Sequence, residues 1–448
     1  MLTPQAASER AAALVDRARR AGADAADAVY IASSSEGVSV RLGKLEDVER
    51  SESEHISLRV FVGRRSASIG SSDLADTALD ELASRAIDMA RAAPEDPWAG
   101  LAPRGMLAKG PFPDFDVDSP HEPSPAALRA MAEEAEDAAR AIAGVTNSDG
   151  ASAGAGRSVM ALATSDGFVG GHAGTSRSIS ASVVAGEGGG MQRDHAWRST
   201  RHSEDLPPPA EIGTLAGTRA VARLNPGRLK SGPMPVVFDP RVGGTLIGSL
   251  VSAMSGVAIA RRASFLLDRL EDDLFPTGVV IADDPHRLRG LRSRPFDGEG
   301  LPTAPCNLVE NRRLTGWLMD SASARQLGLA PTGHAARGTS GAPGVSASNL
   351  HMAPGALSPA ELMADITEGV YVTELIGMGV NGVTGDYSRG ASGFRIVNGE
   401  IAGPVAEFTV AGNLIPMFAA LTPASDLEWH HAINVPTIRV DGMTVAGD

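Results

Sequence analysis

The feature that most constrains the fold is an uncharged stretch near the middle of the chain. From Gly243 to Ala260 the sequence has no charged residue, no histidine and no cysteine, and Arg261 and Arg262 follow directly. The run is short for a helix that spans a bilayer, which needs about 20 apolar residues. It also contains four glycines and three serines. We therefore predict a helix in a globular core rather than a membrane span.

A helical wheel divides this stretch into two different faces. The small residues Gly248, Ser249, Ser252, Ser255 and Gly256 fall within one arc, and the large apolar residues lie opposite. Glycine inside a helix costs about 0.5–1 kcal/mol relative to alanine, so its presence needs a steric reason. The small face is therefore expected to meet another backbone or a hollow. None of its side chains can bind a metal or transfer a proton at neutral pH.

Composition excludes several classes of function. The chain has 448 residues and a formal net charge of −14. This charge argues against a nucleic-acid groove, because phosphate binding needs clustered Lys and Arg, but it is compatible with a local basic patch. The only cysteine, Cys306, cannot form a disulfide within the chain. The N-terminus lacks the apolar core of a signal peptide, so we predict a cytoplasmic protein.

The order of periodic segments predicts an α+β fold. Residues 1–95 are expected to form a helix, about three strands and a second helix, and residues 124–228 form a further α/β module. The two modules are predicted to pack as one N-terminal domain, with helices on a mostly antiparallel sheet. Residues 96–123 are rich in proline and predict a linker. Residues 232–448 predict a β-rich domain, barrel-like or sandwich-like, with the small-residue helix buried inside it.

The most unusual loop-like sequence is "TELIGMGVNGVTGDYSRGASGF" at 373–394. Glycine within strand-like sequence indicates bulges or close approach of another backbone. Arg389 is suited to binding a carboxylate with two hydrogen bonds, but it is also suited to bracing the loop against Asp386. His334 lies in another glycine-rich segment. The candidate contacts for a peptide or a partner are Gly382, Thr384, Gly385, Asp386, Tyr387, Ser388, Arg389 and His334.

The histidines and serines indicate no catalytic site in this chain. None of the ten histidines forms the i, i+4 pair of a zinc-binding helix. The adjacent His430 and His431 would point to opposite faces of a strand. No serine nucleophile elbow lies between a clear strand and a helix.

Several segments together resemble the TldD/PmbA family, specifically its PmbA branch, also called TldE. They include "RPFDGEGLPT", "LTGWLMDSASARQLG", "YVTELIGMGVNGVTGDYSRGASGF" and the hairpin that begins "NGEI". The resemblance extends over nearly the whole chain. It implies a component of a heterodimeric zinc metalloprotease, which matures a ribosomally made peptide antibiotic in some bacteria and degrades short or unfolded peptides.

The resemblance also implies that this chain lacks the metal site of the family. The TldD-like subunit has HExxxH on a helix, and the corresponding positions here are Gly248, Ser249 and Ala253. The segment "HHAINVPTIRV" lacks the cysteine that completes the site in that subunit. We therefore expect no cofactor in this chain and zinc in a TldD-like partner.

The expected function is thus that of a non-catalytic subunit, which pairs with the HExxxH partner and helps to enclose an extended peptide. An alternative is a homodimeric peptide-binding or scaffold protein without an obligate partner. A third possibility, a regulator of a DNA enzyme, follows from the family's older description as a gyrase modulator. The acidic charge does not support that role through DNA contact, and neither nucleic acid nor a membrane is expected as a partner.

Overall fold

The computed structural model describes residues 1–447, and its N-terminal domain contains two similar halves. Each half has a helix, three strands and a helix in chain order. The helices are α1 (Pro4–Arg20), α2 (Asp76–Ala92), α3 (Pro125–Arg140) and α4 (Pro209–Ala222). The strands are β1 (Ala25–Arg41), β2 (Lys44–Val62), β3 (Arg65–Ser71), β4 (Val145–Thr164), β5 (Val169–Ala185) and β6 (Gln192–Thr200).

These strands form one antiparallel sheet in the order β3-β2-β1-β4-β5-β6. The halves meet where β1 pairs with β4. Helices α1 and α2 cover one end of the sheet and bury Tyr30, whereas α3 and α4 cover the other end and bury Val38. Ser124 caps α3 by accepting a hydrogen bond from the backbone N–H of Ala127, and Pro125 begins the helix. The predicted packing of helices on an antiparallel sheet is confirmed.

The C-terminal domain is built on a closed five-stranded barrel. Its strands are β7 (Gly232–Phe238), β14 (Glu368–Ile376), β15 (Asp386–Val397), β16 (Glu400–Asn413) and β19 (Ile438–Ala446). The pairing of β16 with β19 closes it, and β17 (Leu421–Pro423) extends β19 at the other edge. The expected α+β class with a β-rich C-terminal half is therefore confirmed, and of the two predicted forms it is the barrel.

Shorter elements surround the barrel. The helices are α5 (Pro240–Ala253), α6 (Gly256–Ala260), α7 (Ser321–Leu327), α8 (Pro359–Met363) and α9 (Leu414–Ala419). A second sheet has the order β10-β9-β8-β13-β18. Its strands are β8 (Ile281–Asp283), β9 (Cys306–Glu310), β10 (Arg313–Leu314), β13 (Leu350–Met352) and β18 (Ile433–Asn434). β11 (Ala335–Ala336) pairs with β12 (Gly344–Val345). Among residues 1–447, no helix combines the length and apolar character that a membrane crossing requires.

The uncharged stretch forms two helices rather than the single helix that was predicted. Helix α5 ends at Ala253, Ser255 is extended, and α6 begins at Gly256. A Cβ on Gly256 would lie 2.3 Å from Met319 Sδ and 3.0 Å from the carbonyl oxygen of Leu318. This close backbone approach separates Ser255 and Gly256 from the small face of α5. The prediction of one continuous small face was therefore wrong.

Burial divides α5 as the wheel predicts, but the helix as a whole is not enclosed. Leu246 and Leu250 are fully buried in the core that the barrel strands share. On the opposite face Thr245 and Ser252 are exposed, and Gly248 is half-buried. The small face thus looks onto open space rather than onto another backbone.

The proline-rich segment lies against the C-terminal domain. It contains one short 3₁₀ turn, Arg104–Met106. The guanidinium of Arg325 donates hydrogen bonds to the carbonyl oxygens of Trp98, Gly100 and Leu101 at 2.8–2.9 Å. The segment is therefore anchored in the structure while it connects the two halves of the N-terminal domain.

A buried group of charges, here called the interdomain ion cluster, joins the two domains. Asp27 on β1 lies 2.5 Å from Arg59 on β2 and 2.8 Å from Arg337 of the C-terminal domain. Glu299 lies 3.8 Å from Arg59 and accepts a hydrogen bond from the backbone N–H of Ser321. All four charged residues are less than a tenth exposed. Each charge therefore depends on the others for the stabilisation that water would otherwise supply.

Candidate functional site

The small face of α5 lines an open cavity, which we call the α5 groove. The cavity has a volume of about 520 Å³ and lies between α5 and the glycine-rich segment that precedes and begins β15. No atom lies within 4 Å of the position that a Cβ on Gly248 would occupy. The glycine therefore leaves room at the centre of the groove wall.

The groove brings together residues from two of the predicted sites. Gly248, Ser249 and Ala253 line it from α5, where the HExxxH positions were placed by resemblance. Gly382 and Arg389 line it from the opposite side. These residues are more than 120 positions apart in the sequence, so the barrel is what makes them neighbours.

The lining of the groove does not fit a zinc ion. Ser249 and Ser252 donate their hydroxyl hydrogen bonds to the carbonyl oxygens of Thr245 and Gly248, at 3.0 and 2.9 Å. Zinc sites in proteins are made by His, Cys, Asp and Glu, and this helix face presents none of them. Within residues 1–447, no group of three or more such residues is placed so that it could hold a metal ion.

The loop between β14 and β15 is held by its own hydrogen bonds. The carboxylate of Asp386 accepts hydrogen bonds from Thr384 Oγ1 at 2.6 Å and from Asn413 Nδ2 at 3.1 Å. These bonds, with that from Thr384 the stronger, hold the pKa of Asp386 below its ordinary value. Gly385 has a positive φ of 82°, which glycine adopts readily. Of the predicted contacts, Thr384, Gly385 and Asp386 therefore shape the loop.

Close backbone approach, predicted from the glycines, occurs at Gly379. A Cβ there would lie 1.5 Å from the carbonyl oxygen of Ser388, and the backbone N–H of Ser388 donates to the carbonyl oxygen of Gly379 at 2.7 Å. Tyr387 is buried beneath this contact, and burial raises the pKa of its hydroxyl to about 12. Tyr387 is thus a core residue, whereas the side of the loop with Ser388 is exposed.

Arg389 does not brace the loop through Asp386. Among the described residues it has no ion pair. Its Nη2 donates a long hydrogen bond of 3.4 Å to the carbonyl oxygen of Leu375, and its guanidinium acts on the Tyr387 hydroxyl, which lowers the pKa of that hydroxyl against the larger effect of burial. Its Nε is buried without a hydrogen-bond partner. Met378 is almost fully exposed beside it. The guanidinium therefore lines the groove with hydrogen-bonding capacity to spare.

His334 lies outside the groove, in a buried cluster beside the second sheet. Its Nδ1 is 2.9 Å from Thr332 Oγ1, and its Nε2 is 3.3 Å from a carboxylate oxygen of Asp283 and 4.0 Å from Cys306 Sγ. Burial raises the pKa of Asp283, but hydrogen bonds from His334 and Ser348 outweigh it and keep the pKa below the ordinary value. The structure therefore places His334 in a buried packing environment, apart from the groove.

Cys306 is expected to react slowly with alkylating reagents. Burial raises the pKa of its thiol to about 11, against roughly 8.5 for a free cysteine, so its thiolate fraction at neutral pH falls by more than about a hundredfold. Because the chain has one cysteine, labelling by iodoacetamide reports this site alone. The folded chain should react about a hundred times more slowly than the same chain in urea, and its rate should rise continuously between pH 7 and 10. Equal rates in both states would contradict the assignment.

A second cavity, which the sequence did not predict, lies next to the groove in the cleft between the domains. It shares Thr245 and Gly248 with the α5 groove and has arginines from both domains in its lining. The sequence signal for this cavity was the spacing of four residues between Arg219 on α4 and Arg223 at its C-cap, together with the arginines on β6. Alone, such spacing is also typical of a solvated helix face, so only the fold distinguishes a lined cleft from a solvated surface.

The fold and the groove define a class of protein. It is an α+β chain with a closed barrel in its C-terminal domain, and the first helix of that domain, α5, borders an open groove without metal ligands. Three family models match, described as the PmbA/TldA metallopeptidase domain 1 (residues 26–90), central domain (118–224) and C-terminal domain (231–447). The chain belongs to this family, which confirms the family resemblance of the sequence.

Individual relatives agree with the family assignment. The chain is 37% identical to the metalloprotease PmbA of Escherichia coli O157:H7 over 426 residues, which are 95% of this chain and 92% of that protein. It is 35% identical to the metalloprotease PmbA homolog of Haemophilus influenzae over 445 residues, 97% of this chain and 94% of that protein.

Solved structures share the whole fold. A Bacteroides thetaiotaomicron protein, named for a proposed role as a modulator of DNA gyrase, matches with a TM-score of 0.92 and 26% identity, and covers 100% of both chains. TldE from Thermococcus kodakarensis matches with a TM-score of 0.85 and 20% identity over 97% of this chain and 99% of that one. At that identity the TldE likeness concerns the fold.

Proposed function

We propose that this chain is the subunit without a metal site in a peptide-acting zinc metalloprotease. Its partner would be a TldD-like subunit with HExxxH, and the pair would act in the cytoplasm. The observation that supports this proposal is the α5 groove, in which Gly248, Ser249 and Ala253 stand at the HExxxH positions and leave open space instead of metal ligands. The zinc of the partner would activate a water molecule for hydrolysis.

In this proposal the chain's own residues bind and align an extended peptide. The open wall at Gly248 admits a peptide main chain, and the exposed Met378 offers an apolar contact for side chains. Arg389 can donate two hydrogen bonds to a peptide carbonyl or carboxylate. Main-chain recognition of this kind provides affinity with little choice of sequence, which suits an enzyme acting on unfolded peptides.

The test is to purify the full chain alone and together with an HExxxH-bearing family member from the same genome. The chain alone should contain little zinc and hydrolyse no peptide, and the pair should co-purify, contain zinc and hydrolyse unfolded peptides. Stoichiometric zinc with activity in the chain alone would overturn the proposal. A homodimer that binds peptides, in an organism without an HExxxH relative, would support the alternative of a non-catalytic binding protein.

Substitution of Arg389 by glutamine tests its role in the groove. Peptide hydrolysis by the pair should fall about tenfold, since a charge-assisted hydrogen bond contributes about 1.5–3 kcal/mol. The thermal midpoint should change little, because Arg389 has no ion pair to lose among the described residues. Circular dichroism and peptide hydrolysis, measured on the same preparations, separate the two effects. A large fall in the thermal midpoint would show instead that Arg389 stabilises the fold.

A further inference from the structure

The second cavity lies in the cleft between the domains and is lined by residues of both. It has a volume of about 720 Å³ and lies between β6 and α4 on one side and α5 and β14 on the other. Because it shares Thr245 and Gly248 with the α5 groove, the two cavities are neighbours along one face of α5. We call it the arginine cleft.

The cleft concentrates positive charge in an acidic protein. Two carboxylates line it, those of Asp194 and Glu374. Against these stand six arginines, while the chain as a whole has a formal charge of −14. The arginines are Arg193, Arg198, Arg219, Arg223, Arg241 and Arg292.

Half of these arginines have their charge balanced within the chain. Arg193 lies 2.6 Å from a carboxylate oxygen of Asp149. Arg223 pairs with Glu374 and lies 3.4 Å from Asp194. Arg241 lies 3.4 Å from Asp194, and 3.0 Å from its own helix-capping residue Asp239. The two carboxylates that line the cleft are therefore already engaged.

The other three arginines have no ion pair among residues 1–447. Arg198 and Arg219 each donate one hydrogen bond, to the carbonyl oxygens of Trp197 and His195. Glu428 acts on Arg198 only at longer range, and its carboxylate pairs with His430 at 2.7 Å. Arg292, the third arginine without an ion pair, is exposed. Each guanidinium has five N–H donors, so most of their donors face the cleft or solvent.

Partial burial makes this arrangement costly without an anion. Both guanidinium groups are half-buried, and burial lowers the pKa of Arg198 and of Arg219 because it disfavours the charged form. His431 lies beside them, and its ring Nδ1 is buried without a hydrogen-bond partner. Burial and the charges of Arg198 and Arg219 lower the pKa of His431 to about 4, so this ring is neutral at pH 7. Arginines without an ion pair and a ring nitrogen without a hydrogen-bond partner thus meet in one place.

We infer that the arginine cleft binds a carboxylate of the peptide that occupies the α5 groove, held by Arg198 and Arg219 with Arg292 at the rim. This inference rests on the proposed function. The carboxylate belongs either to the peptide C-terminus or to an Asp or Glu side chain, since the chemistry of recognition is the same. Planar guanidinium groups match a carboxylate with paired hydrogen bonds.

Four fluorescein-labelled peptides of one extended sequence test the site. They carry either Glu or Gln near the C-terminal end, and the C-terminus is either free or amidated. Fluorescence anisotropy with the full chain should show about tenfold weaker binding when the relevant carboxylate is removed, and the peptide that loses affinity identifies its source. The double variant Arg198→Gln, Arg219→Gln should bind all four peptides alike.

The control variant is Arg228→Gln. Arg228 is exposed, pairs with Glu407 at 3.0 Å and lines neither cavity, so this variant should retain the preference for a carboxylate. The thermal midpoint of the double variant should stay the same or rise, because it loses unbalanced buried charge.

Equal affinity of the unsubstituted chain for all four peptides would overturn the inference but leave the peptide groove standing. A carboxylate preference that persists in the double variant would also overturn it. If none of the peptides binds, the inference and the peptide groove of the proposed function both fail.

Discussion

Replacement of Gly248 by leucine should raise the stability of the chain and abolish peptide hydrolysis by the pair. No atom lies within 4 Å of the position of the new Cβ, so the side chain enters the groove without a clash at its base. Leucine is a better helix former than glycine by about 0.5–1 kcal/mol. The same side chain would project into the α5 groove, which is the proposed path of the peptide. Displacement of a substrate by about 1 Å can cost a hundredfold in rate, so we expect a loss of at least that size.

The measurements are the thermal midpoint of the purified variant and the rate of peptide hydrolysis by the reconstituted pair. Gly403→Leu is the matched control, because this exposed glycine of β16 also has no atom within 4 Å of its Cβ position and lines neither cavity. It should leave hydrolysis unchanged. Full activity of the Gly248→Leu pair would exclude the α5 groove from the peptide path.

Among the substitutions for which we predict an effect in the N-terminal domain, Asp27→Asn should be the most destabilising. Asp27 lies 2.5 Å from Arg59 and 2.8 Å from Arg337, and it is only 2% exposed. Its loss leaves two buried guanidinium groups to repel each other, with Glu299 at 3.8 Å as the remaining counter-charge. Removal of one partner from a buried ion pair typically costs about 3–5 kcal/mol.

Urea unfolding followed by circular dichroism measures this effect. Asp76→Asn is the control, since Asp76 pairs with Arg17 at 2.7 Å but its side chain is 74% exposed. A surface ion pair contributes at most about 1 kcal/mol, so the control should shift the urea midpoint only slightly. If both variants lost the same small amount, the interdomain ion cluster would contribute no more than a surface pair.

The sequence was most informative where structure depends on neighbours in the chain. The cap at Ser124 and the apolar face of α5 each follow from residues that are close together in the chain. Its prediction failed at Ser255, where the helix breaks so that Gly256 can approach the carbonyl oxygen of Leu318. A contact made over 60 positions later in the chain leaves no local pattern, and a wheel cannot anticipate it.

The candidate site shows the same division. The resemblance identified the positions on α5, and the glycines marked 377–393 as a place of close backbone approach. The sequence could not decide whether Arg389 pairs with Asp386 or contacts a peptide or partner, because it is compatible with both roles. In the structure Asn413 and Thr384 donate hydrogen bonds to the carboxylate of Asp386, and Arg389 lines the groove.

The sequence by itself thus determined the α+β class, the absence of zinc ligands from α5 and the family. Only the tertiary structure decided that β16 pairs with β19 to close the barrel, that Arg389 faces Gly248 across a groove, and that arginines of both domains meet beside it. The physical reason is the distance along the chain over which each kind of interaction acts. Periodicity and capping act over a few residues, whereas burial and charge balance depend on which distant surfaces the folded chain brings into contact.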